Sequence, residues 1–340
     1  MNKKLLCSTA LAGALIVSGS AFAELKIGGN ITHTVNFGKD DTTTGHGSAE
    51  KLGTEMNLTL LSKKDLSNGM YIQYKSNIEF DGVGTDVPDV EYEIQLGTPN
   101  FWVGAGSDAG NNISGTPTLP AVGYHVGSLA INVSKSTPLN YDGLLNGGEA
   151  NNPSHLSLNA KVAGGTASVI WAPNVADDDN ESTPITNAGG ASRLAYLYSG
   201  SPVKDVNFII GRSIETGDTD TSSAEKTNDK IGISYNFGKF QAGYEYQKYS
   251  TGNDSAEEKA HNYAVTFASS DTTTLGVQYS KSSNEALAGA NDEKIMALSA
   301  GYNLGGASIA VSLVDVENLG ATATNGVDSQ GIVITTKMGF

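Results

Sequence analysis

The amino-acid sequence predicts an all-β fold, a transmembrane antiparallel β-barrel of about 16 strands. Three observations favour this class. Apolar and polar residues alternate along many short segments, the connections between these segments are alternately long and short, and the last segment ends on an aromatic residue in register with its apolar face. Period-two alternation gives a strand two unlike faces, and a membrane-spanning barrel needs such strands with no open edge.

The alternating segments begin at Leu25 and continue to the C-terminus. In the first of them Leu25, Ile27 and Phe37 share one face, whereas Lys26 and Thr32 share the other. The predicted strands cover residues 25–37, 52–60, 70–80, 90–96, 101–106, 156–162, 167–171, 193–198, 206–214, 231–237, 240–249, 263–267, 275–279, 295–302, 307–314 and 330–340. All nine prolines lie outside these segments or at their edges, which supports the assignment because proline cannot donate to a strand ladder.

The connections between the predicted strands differ in length and composition. Long connections, such as 176–190 and 215–229, are rich in Asp, Asn, Ser, Thr and Gly, whereas the short ones are tight turns such as Gly164-Gly165. A transmembrane barrel shows this asymmetry, with long outer loops and short periplasmic turns. Because about 16 strands enclose an interior too wide for side chains to fill, we expect the apolar faces to point outward, toward lipid.

The first 23 residues have the pattern of a secretory signal peptide. Two lysines precede an apolar stretch, and Ala21-Phe22-Ala23 is a small-x-small cleavage pattern. We therefore expect residues 1–23 to be cleaved during export through the inner membrane, and residues 24–340 to form the barrel. The single cysteine, Cys7, lies in the signal segment, so no disulfide or thiol chemistry is expected of the mature chain.

Charge and motifs narrow the function. The formal charge is −15 and becomes −17 when the two signal lysines are removed, which argues against nucleic acid as a partner because phosphates need a basic face. No run of 18 apolar residues follows residue 23, so no transmembrane helix is predicted. The chain has no Gly-x-Ser-x-Gly motif, and its five histidines lack metal-ligand spacing. The sequence thus predicts neither an enzyme nor a cofactor.

One connection, residues 107–154, is much longer than the others. It follows the fifth predicted strand, so it is the third long loop, and it contains a weak strand pattern at 129–133. The signal segment, the 16 strands, the extended third loop and the terminal Phe340 together resemble the general diffusion porins of Gram-negative bacteria. A barrel strand at 129–133 with a further partner would raise the count to 18, which is similar to sugar-specific porins.

The resemblance implies a detail of the fold and a function. The third loop would fold into the lumen as the constriction of a water-filled channel, through which ions and small hydrophilic solutes diffuse passively. The barrel would lie in the outer membrane as a homotrimer, in contact with lipid and lipopolysaccharide. The terminal strand resembles the segment that the barrel-assembly machinery recognises during biogenesis, with Met338 and Phe340 as its signal residues.

The selectivity of such a channel depends on the charges that line it. By phase, the inward-facing basic candidates are Lys26, Lys75, Lys161, Arg193, Lys230 and Lys337. The acidic candidates are Glu55, Glu79, Glu91, Glu93 and Glu245, together with Asp108 at the start of the third loop. These charges nearly balance, so we expect at most a mild cation preference, and the simpler interpretation of each one is a solvated wall residue. Arg212 falls in the lipid-facing phase, and the row of wall arginines of the family is not visible.

Other interpretations stay open from the sequence alone. Asp177, Asp178 and Asp179 form a weak Ca²⁺ candidate, because this cation prefers carboxylate oxygens, although a solvated acidic loop is the simpler interpretation. The alternative functions are a substrate-selective porin for a sugar, an anion or a peptide, a non-conducting structural or adhesive barrel, and a secreted soluble β-protein.

Overall fold

The computed structural model describes residues 24–42, 45–48, 51–81, 89–107, 119–122, 154–172, 192–216, 225–250, 257–284, 291–319 and 327–340. Within these ranges the chain forms strands and turns, with no helix. Accordingly, the described residues include no helical segment of the length and apolarity needed to cross a membrane.

Seventeen strands lie in the described ranges. They are β1 (Glu24–Thr42), β2 (Gly45–Ser48), β3 (Lys51–Asp65), β4 (Tyr71–Asp81), β5 (Asp89–Thr98), β6 (Phe101–Ser107), β7 (Ser154–Val162), β8 (Gly165–Ala172), β9 (Ser192–Val203), β10 (Val206–Thr216), β11 (Lys226–Phe237), β12 (Phe240–Ser250), β13 (Glu257–Ala268), β14 (Thr273–Asn284), β15 (Glu293–Asn303), β16 (Ala307–Leu319) and β17 (Val327–Gly339).

The sheet closes on itself. Neighbouring strands pair in antiparallel orientation, and β1 pairs with both β3 and β17. The four-residue β2 only extends a hairpin at the outer end of β1, so 16 strands form the wall. The predicted antiparallel barrel of 16 strands is therefore confirmed. The short β2 was not predicted, because Gly45 to Ser48 has the composition of a loop.

Tight turns join the strands at one end of the barrel. Gly164, Gly238 and Gly305 have φ angles of 76°, 65° and 93° at three of these turns. The loops at Gly164 and Gly238 have two residues and the loop at Gly305 has three. Such short hairpin loops need left-handed conformations to match the twist of their strands, and glycine adopts these without steric cost. The sequence placed turns at these three positions, and in a membrane barrel the end with short turns faces the periplasm.

Along each strand, outward-facing apolar residues alternate with inward-facing buried ones. In β15, for example, Ile295 and Ala297 are fully buried, whereas Met296 and Leu298 are 46 % and 45 % exposed. The inner face is rich in small polar residues, among them Ser280, Ser282, Ser299 and Ser312. An apolar outer face with a largely polar inner face is the arrangement of a barrel that spans a membrane.

The outer surface carries two boundaries. Near the periplasmic end, the ring of Phe240 packs against those of Phe237 and Phe267, with centroids 5.5 and 4.7 Å away. Near the opposite end, outward-facing ion pairs form what we call the outer ion-pair belt. It consists of Arg212–Asp229, Lys248–Glu257, Lys259–Glu257, Lys281–Asp292 and Lys294–Glu317. Aromatic rings favour the membrane interface and charges avoid hydrocarbon, so lipid tails contact the wall between these boundaries.

Candidate pore lining and constriction

The described part of the long third connection, Leu119 to Val122, packs against inward-facing glycines. A Cβ added to Gly243 would lie 2.9 Å from Pro120 Cδ, and one on Gly301 would lie 2.7 Å from Val122 Cγ1. A Cβ on Gly276 would lie 3.1 Å from Val122 Cγ2. The three glycines share the inward phase of their strands, so Leu119–Val122 lies inside the barrel against β12, β14 and β15.

The position of this contact places Leu119–Val122 far from the strand that precedes the connection. The connection leaves the wall at the end of β6, and β14 is eight strands away around the 16-stranded wall. Eight strands are half of the circumference. Leu119–Val122 therefore touches the side of the barrel opposite to the strand from which the connection starts.

Leu119 is held by apolar side chains on that far wall. It is 5 % exposed and clusters with a set of inward-facing residues that we call the inner apolar patch: Ala264, Ile295, Ala297, Val314, Val316 and Val333. The sequence analysis assigned the inner face to polar residues, so this patch is a departure from the expectation. Its physical reason is that Leu119 covers the patch in place of water. The sequence does carry a sign of this patch. Ile295-Met296 and Leu313-Val314 are adjacent apolar pairs, so one residue of each pair must face inward.

A second group of inward apolar residues lies on β8, β9 and β10. Ile170, Ala195, Leu197 and Ile209 form one cluster, and all four are buried. The sequence reasoning missed this group as well, because it classified whole faces by their majority composition. The inner wall is therefore mixed, with serine-rich, apolar and charged zones.

Charged residues at mid-height of the inner wall form partner sets. Lys230 Nζ lies 3.2 Å from Glu245 Oε2, and the two side chains are only 3 % and 6 % exposed. Asn262 donates a hydrogen bond to Glu245 over 3.4 Å. Because a buried carboxylate needs counter-charge and donors, this arrangement holds Glu245 and Lys230 together as a neutral pair.

A second mid-height set lies on β4 and β5. Lys75 is the register partner of the buried Glu93, which accepts a hydrogen bond from Gln95 over 2.8 Å. A Cβ on Gly104 would clash with the Glu93 carboxylate, so the small residue on β6 makes room for this acid.

The outer end of the inner wall carries most of the other acids. Glu79 and Glu91 lie there half-buried, on β4 and β5, and Arg193 lies buried near the outer end of β9. Glu258 and Glu293, at the outer ends of β13 and β15, have the same inward phase. The sequence analysis missed the last two because its strands began only at 263 and 295, which left both acids in loops.

The periplasmic end of the inner wall carries lysines. Lys26, Lys161 and Lys337 lie there with inward phase and exposed side chains, as the alternation predicted. Lys161 donates a hydrogen bond to Thr166 Oγ1 over 2.7 Å. Lys63 also has inward phase and lies 4.8 Å from the centre of the Tyr71 ring. It was missed because the second predicted strand stopped at residue 60.

A comparison of the sequence with known protein families shows to which family the chain belongs. The family described as Gram-negative porin matches residues 8–321. The chain belongs to this porin family. No curated protein sequence matches the chain significantly.

Solved porin structures share the fold of the chain at low sequence identity. The anion-selective porin from Comamonas acidovorans has a TM-score of 0.68 at 14 % identity, covering 94 % of this chain and 100 % of that one. A loop-deletion mutant of OmpT from Vibrio cholerae has a TM-score of 0.63 at 13 % identity, covering 94 % and 99 %. A triple mutant of the Rhodopseudomonas blastica porin has a TM-score of 0.61 at 11 % identity, covering 93 % and 100 %.

Family and fold together establish the general function. The porin is an outer-membrane β-barrel channel for passive diffusion, and its outer face contacts lipid. Arg212 has the outward orientation that its phase predicted, and its guanidinium lies 3.6 Å from Asp229.

The C-terminal residues complete the ring of this porin. Phe340 and Gly29 exchange two backbone hydrogen bonds of 3.1 Å each, so the terminal residue extends the ladder between β17 and β1. The side chains of Met338 and Phe340 are exposed on the outer face.

Some predicted residues fall outside the described part of the porin. These are the signal segment 1–23, Asp108, the strand pattern at 129–133, the acidic run Asp177, Asp178 and Asp179, and the side chain of Glu55. Among the described residues, no group of three His, Cys, Asp or Glu is arranged to hold a metal ion.

Proposed function

We propose that this porin is an open diffusion channel for ions and small hydrophilic solutes, narrowed by residues 107–154. The observation that carries this proposal is the contact of Leu119–Val122 with the far wall. A segment that crosses the lumen and is fixed at its far side divides the opening, and it leaves room only for solutes smaller than the barrel itself.

We infer that the channel has at most a mild cation preference. The Lys230–Glu245 pair is neutral as a unit, and Lys75 offsets its register partner Glu93. The long connections are acidic, for example at Asp177–Glu181, so cations are enriched at the outer mouth. The Comamonas acidovorans porin is described as anion-selective, but a likeness at 14 % identity concerns the fold alone.

The proposed assembly follows the family. We expect a cleaved signal peptide, a homotrimer in the outer membrane, and lipopolysaccharide around the outer ion-pair belt. The outward-facing Met338 and Phe340 support recognition of the terminal strand by the barrel-assembly machinery, because both side chains are accessible next to the closing seam. A channel of this kind needs no catalytic residues and no cofactor, so we do not assign it an enzyme activity.

Single-channel recording in a planar bilayer tests the proposal. We expect stepwise conductance in groups of three and a small reversal potential under a salt gradient. A strongly anion-selective reversal potential would contradict the balanced wall and favour an anion-selective porin. Absence of conductance from a folded, heat-modifiable barrel would refute the channel and leave a structural or adhesive barrel.

A further inference from the structure

The barrel closes where β1 pairs with β17 on one side and with β3 on the other. We call the outward face of these three strands the seam face. His33 on β1 lies opposite Thr336 on β17 and opposite Thr54 on β3, so the three residues form one row across the strands. We call them the polar row. The Nδ1 atom of His33 lies 2.8 Å from Thr54 Oγ1, at hydrogen-bond distance.

Strand phase places the polar row on the outside of the barrel. On β1, His33 shares the phase of Leu25 and Phe37, and all three side chains are exposed. On β17, Thr336 shares the phase of the exposed Met338. The neighbouring outward positions on the three strands are apolar: Ile31, Val35, Leu52, Met56, Ile334 and Met338. The polar row is therefore enclosed by an apolar surface.

The polar row lies at the depth of the lipid tails. Along the chain, Thr336 is four residues from Phe340, which lies at the periplasmic end. In the other direction it is six residues from Gln330, which donates a hydrogen bond to Asp315 over 2.7 Å near the outer end. At about 3.3 Å per residue and a tilt of about 40°, the row lies about 10 Å from Phe340 and about 15 Å from Gln330 along the membrane normal.

Hydrocarbon offers no hydrogen-bond partner to these side chains. Among the described residues, the imidazole of His33 bonds to Thr54 alone, and the hydroxyl of Thr336 bonds to none of them. Polar and ionisable side chains at this depth are costly when they face lipid, and they are usually found where they contact protein or water. The polar row therefore indicates a contact that is not made within one copy of the chain.

His261, another outward-facing histidine, has a different environment. It is two residues from Lys259 of the outer ion-pair belt, so it lies near the headgroups. Its Nδ1 lies 3.0 Å from the hydroxyl oxygen of Tyr244, and its ring centre lies 4.9 Å from that of Tyr246. Neighbouring side chains of the same chain thus accommodate His261, whereas His33 lies deeper and has only Thr54.

A second copy of the same face offers the missing partners. An imidazole has one donor and one acceptor nitrogen, and each threonine hydroxyl both donates and accepts, so the polar row is complementary to itself. In a symmetric oligomer, the residues closest to the rotation axis meet their own copies. Hydrogen bonds between such side chains stabilise association in a membrane, where apolar packing against a neighbour gains little over packing against lipid.

We propose that the seam face is the contact surface between copies of this porin, with His33 on its middle strand. The Nε2 atom of His33 bonds to a polar-row side chain of a neighbouring copy. This inference rests on the proposed homotrimer and assigns the strands through which it forms. The wall around β10, eight strands away, then faces lipid.

Distances between identical positions in the assembled protein test this assignment. Val35→Cys places a spin label on the seam face, and Ile210→Cys places one on the opposite wall; both positions face outward, and the mature chain has no other cysteine. For three barrels about 32 Å across that meet at their seam faces, the Val35→Cys labels lie within about 20 Å of one another and the Ile210→Cys labels at least about 60 Å apart. Electron paramagnetic resonance measures both distances in detergent.

Substitution of the histidine tests the role of the polar row. We expect His33→Leu to accelerate dissociation of the trimer in detergent at least about tenfold, because one hydrogen bond is lost at each of the subunit contacts. His33→Gln retains a donor and an acceptor, so it should dissociate at close to the parent rate. The matched control His261→Leu removes an outward histidine from β13 and should leave the rate unchanged. If lipid covered the seam face, His33→Leu would place an apolar side chain against it and would not accelerate dissociation.

Three results would overturn the inference while leaving the homotrimer intact: long distances at Val35→Cys, short distances at Ile210→Cys, or a His33→Leu variant that dissociates no faster than the parent. A parent protein that is monomeric in detergent and in lipid would instead refute the proposed homotrimer, so the two failures are distinguishable.

Discussion

The anchoring of the third connection gives the sharpest prediction for this porin. The double substitution Leu119→Ala/Val122→Ala removes the apolar atoms that fill the glycine-lined site on β12, β14 and β15. Leu119 is 5 % exposed and Val122 is 7 % exposed, so nearly all of the removed surface is buried in the parent. The backbone ladder of the wall is left unchanged, because neither residue belongs to a wall strand.

The magnitude follows from the carbon atoms that are removed. Five methyl or methylene groups at about 0.8 kcal/mol each weaken the anchored state by about 4 kcal/mol, which reduces the ratio of anchored to released segment roughly a thousandfold. We expect larger mean conductance, more current noise, and faster entry of large sugars in a liposome-swelling assay. The temperature of the heat-modifiable mobility shift should stay unchanged, because it reports the wall.

The matched control truncates one leucine and one valine on the outer face, Leu298→Ala/Val311→Ala. These residues face lipid, so their truncation should leave conductance, noise and solute cut-off at the parent values. If the Leu119→Ala/Val122→Ala variant has the same conductance and noise as the parent, the segment does not set the pore width and the argument from its burial is wrong.

Three further predictions concern the wall. Gly301→Val should displace Val122 and raise conductance, since the added Cβ would lie 2.7 Å from it, whereas Gly306→Val, with open space around it, should not; single-channel recording compares the two. Lys230→Met should destabilise the barrel by about 3–5 kcal/mol because it leaves Glu245 buried without its partner, and Lys230→Met/Glu245→Leu should recover most of that loss in urea unfolding. Phe340→Ser should slow insertion into vesicles, since an apolar side chain is lost from the outer face beside the closing seam; an unchanged insertion rate would argue against a role in assembly.

Much of the wall could be predicted because the rules that build it are local. The alternation of polar and apolar residues was enough to predict that Lys75 and Glu93 face inward. The tight turns are visible in the sequence as Gly164-Gly165 and Gly238-Lys239. A strand needs only its own residues and its two neighbours to show these features.

The inner apolar patch could not be predicted in the same way. Whether Val333 faces water or Leu119 depends on the path of a connection that lies some 200 residues earlier in the chain. The acids at the outer strand ends were missed for a related reason. A charged residue at a strand end has the composition of a loop, and only the ladder assigns Glu258 and Glu293 to the wall.

The two outer boundaries also fix the thickness of bilayer that suits this porin. Phe267 in the aromatic cluster and Lys259 in the outer ion-pair belt are eight residues apart along β13. At about 3.3 Å per residue and a tilt of about 40°, they are separated by roughly 20 Å along the membrane normal. This is less than the hydrocarbon thickness of about 30 Å in an average bilayer. A short-chain phospholipid therefore matches the barrel without local thinning, and it should give the most efficient insertion and the quietest recordings.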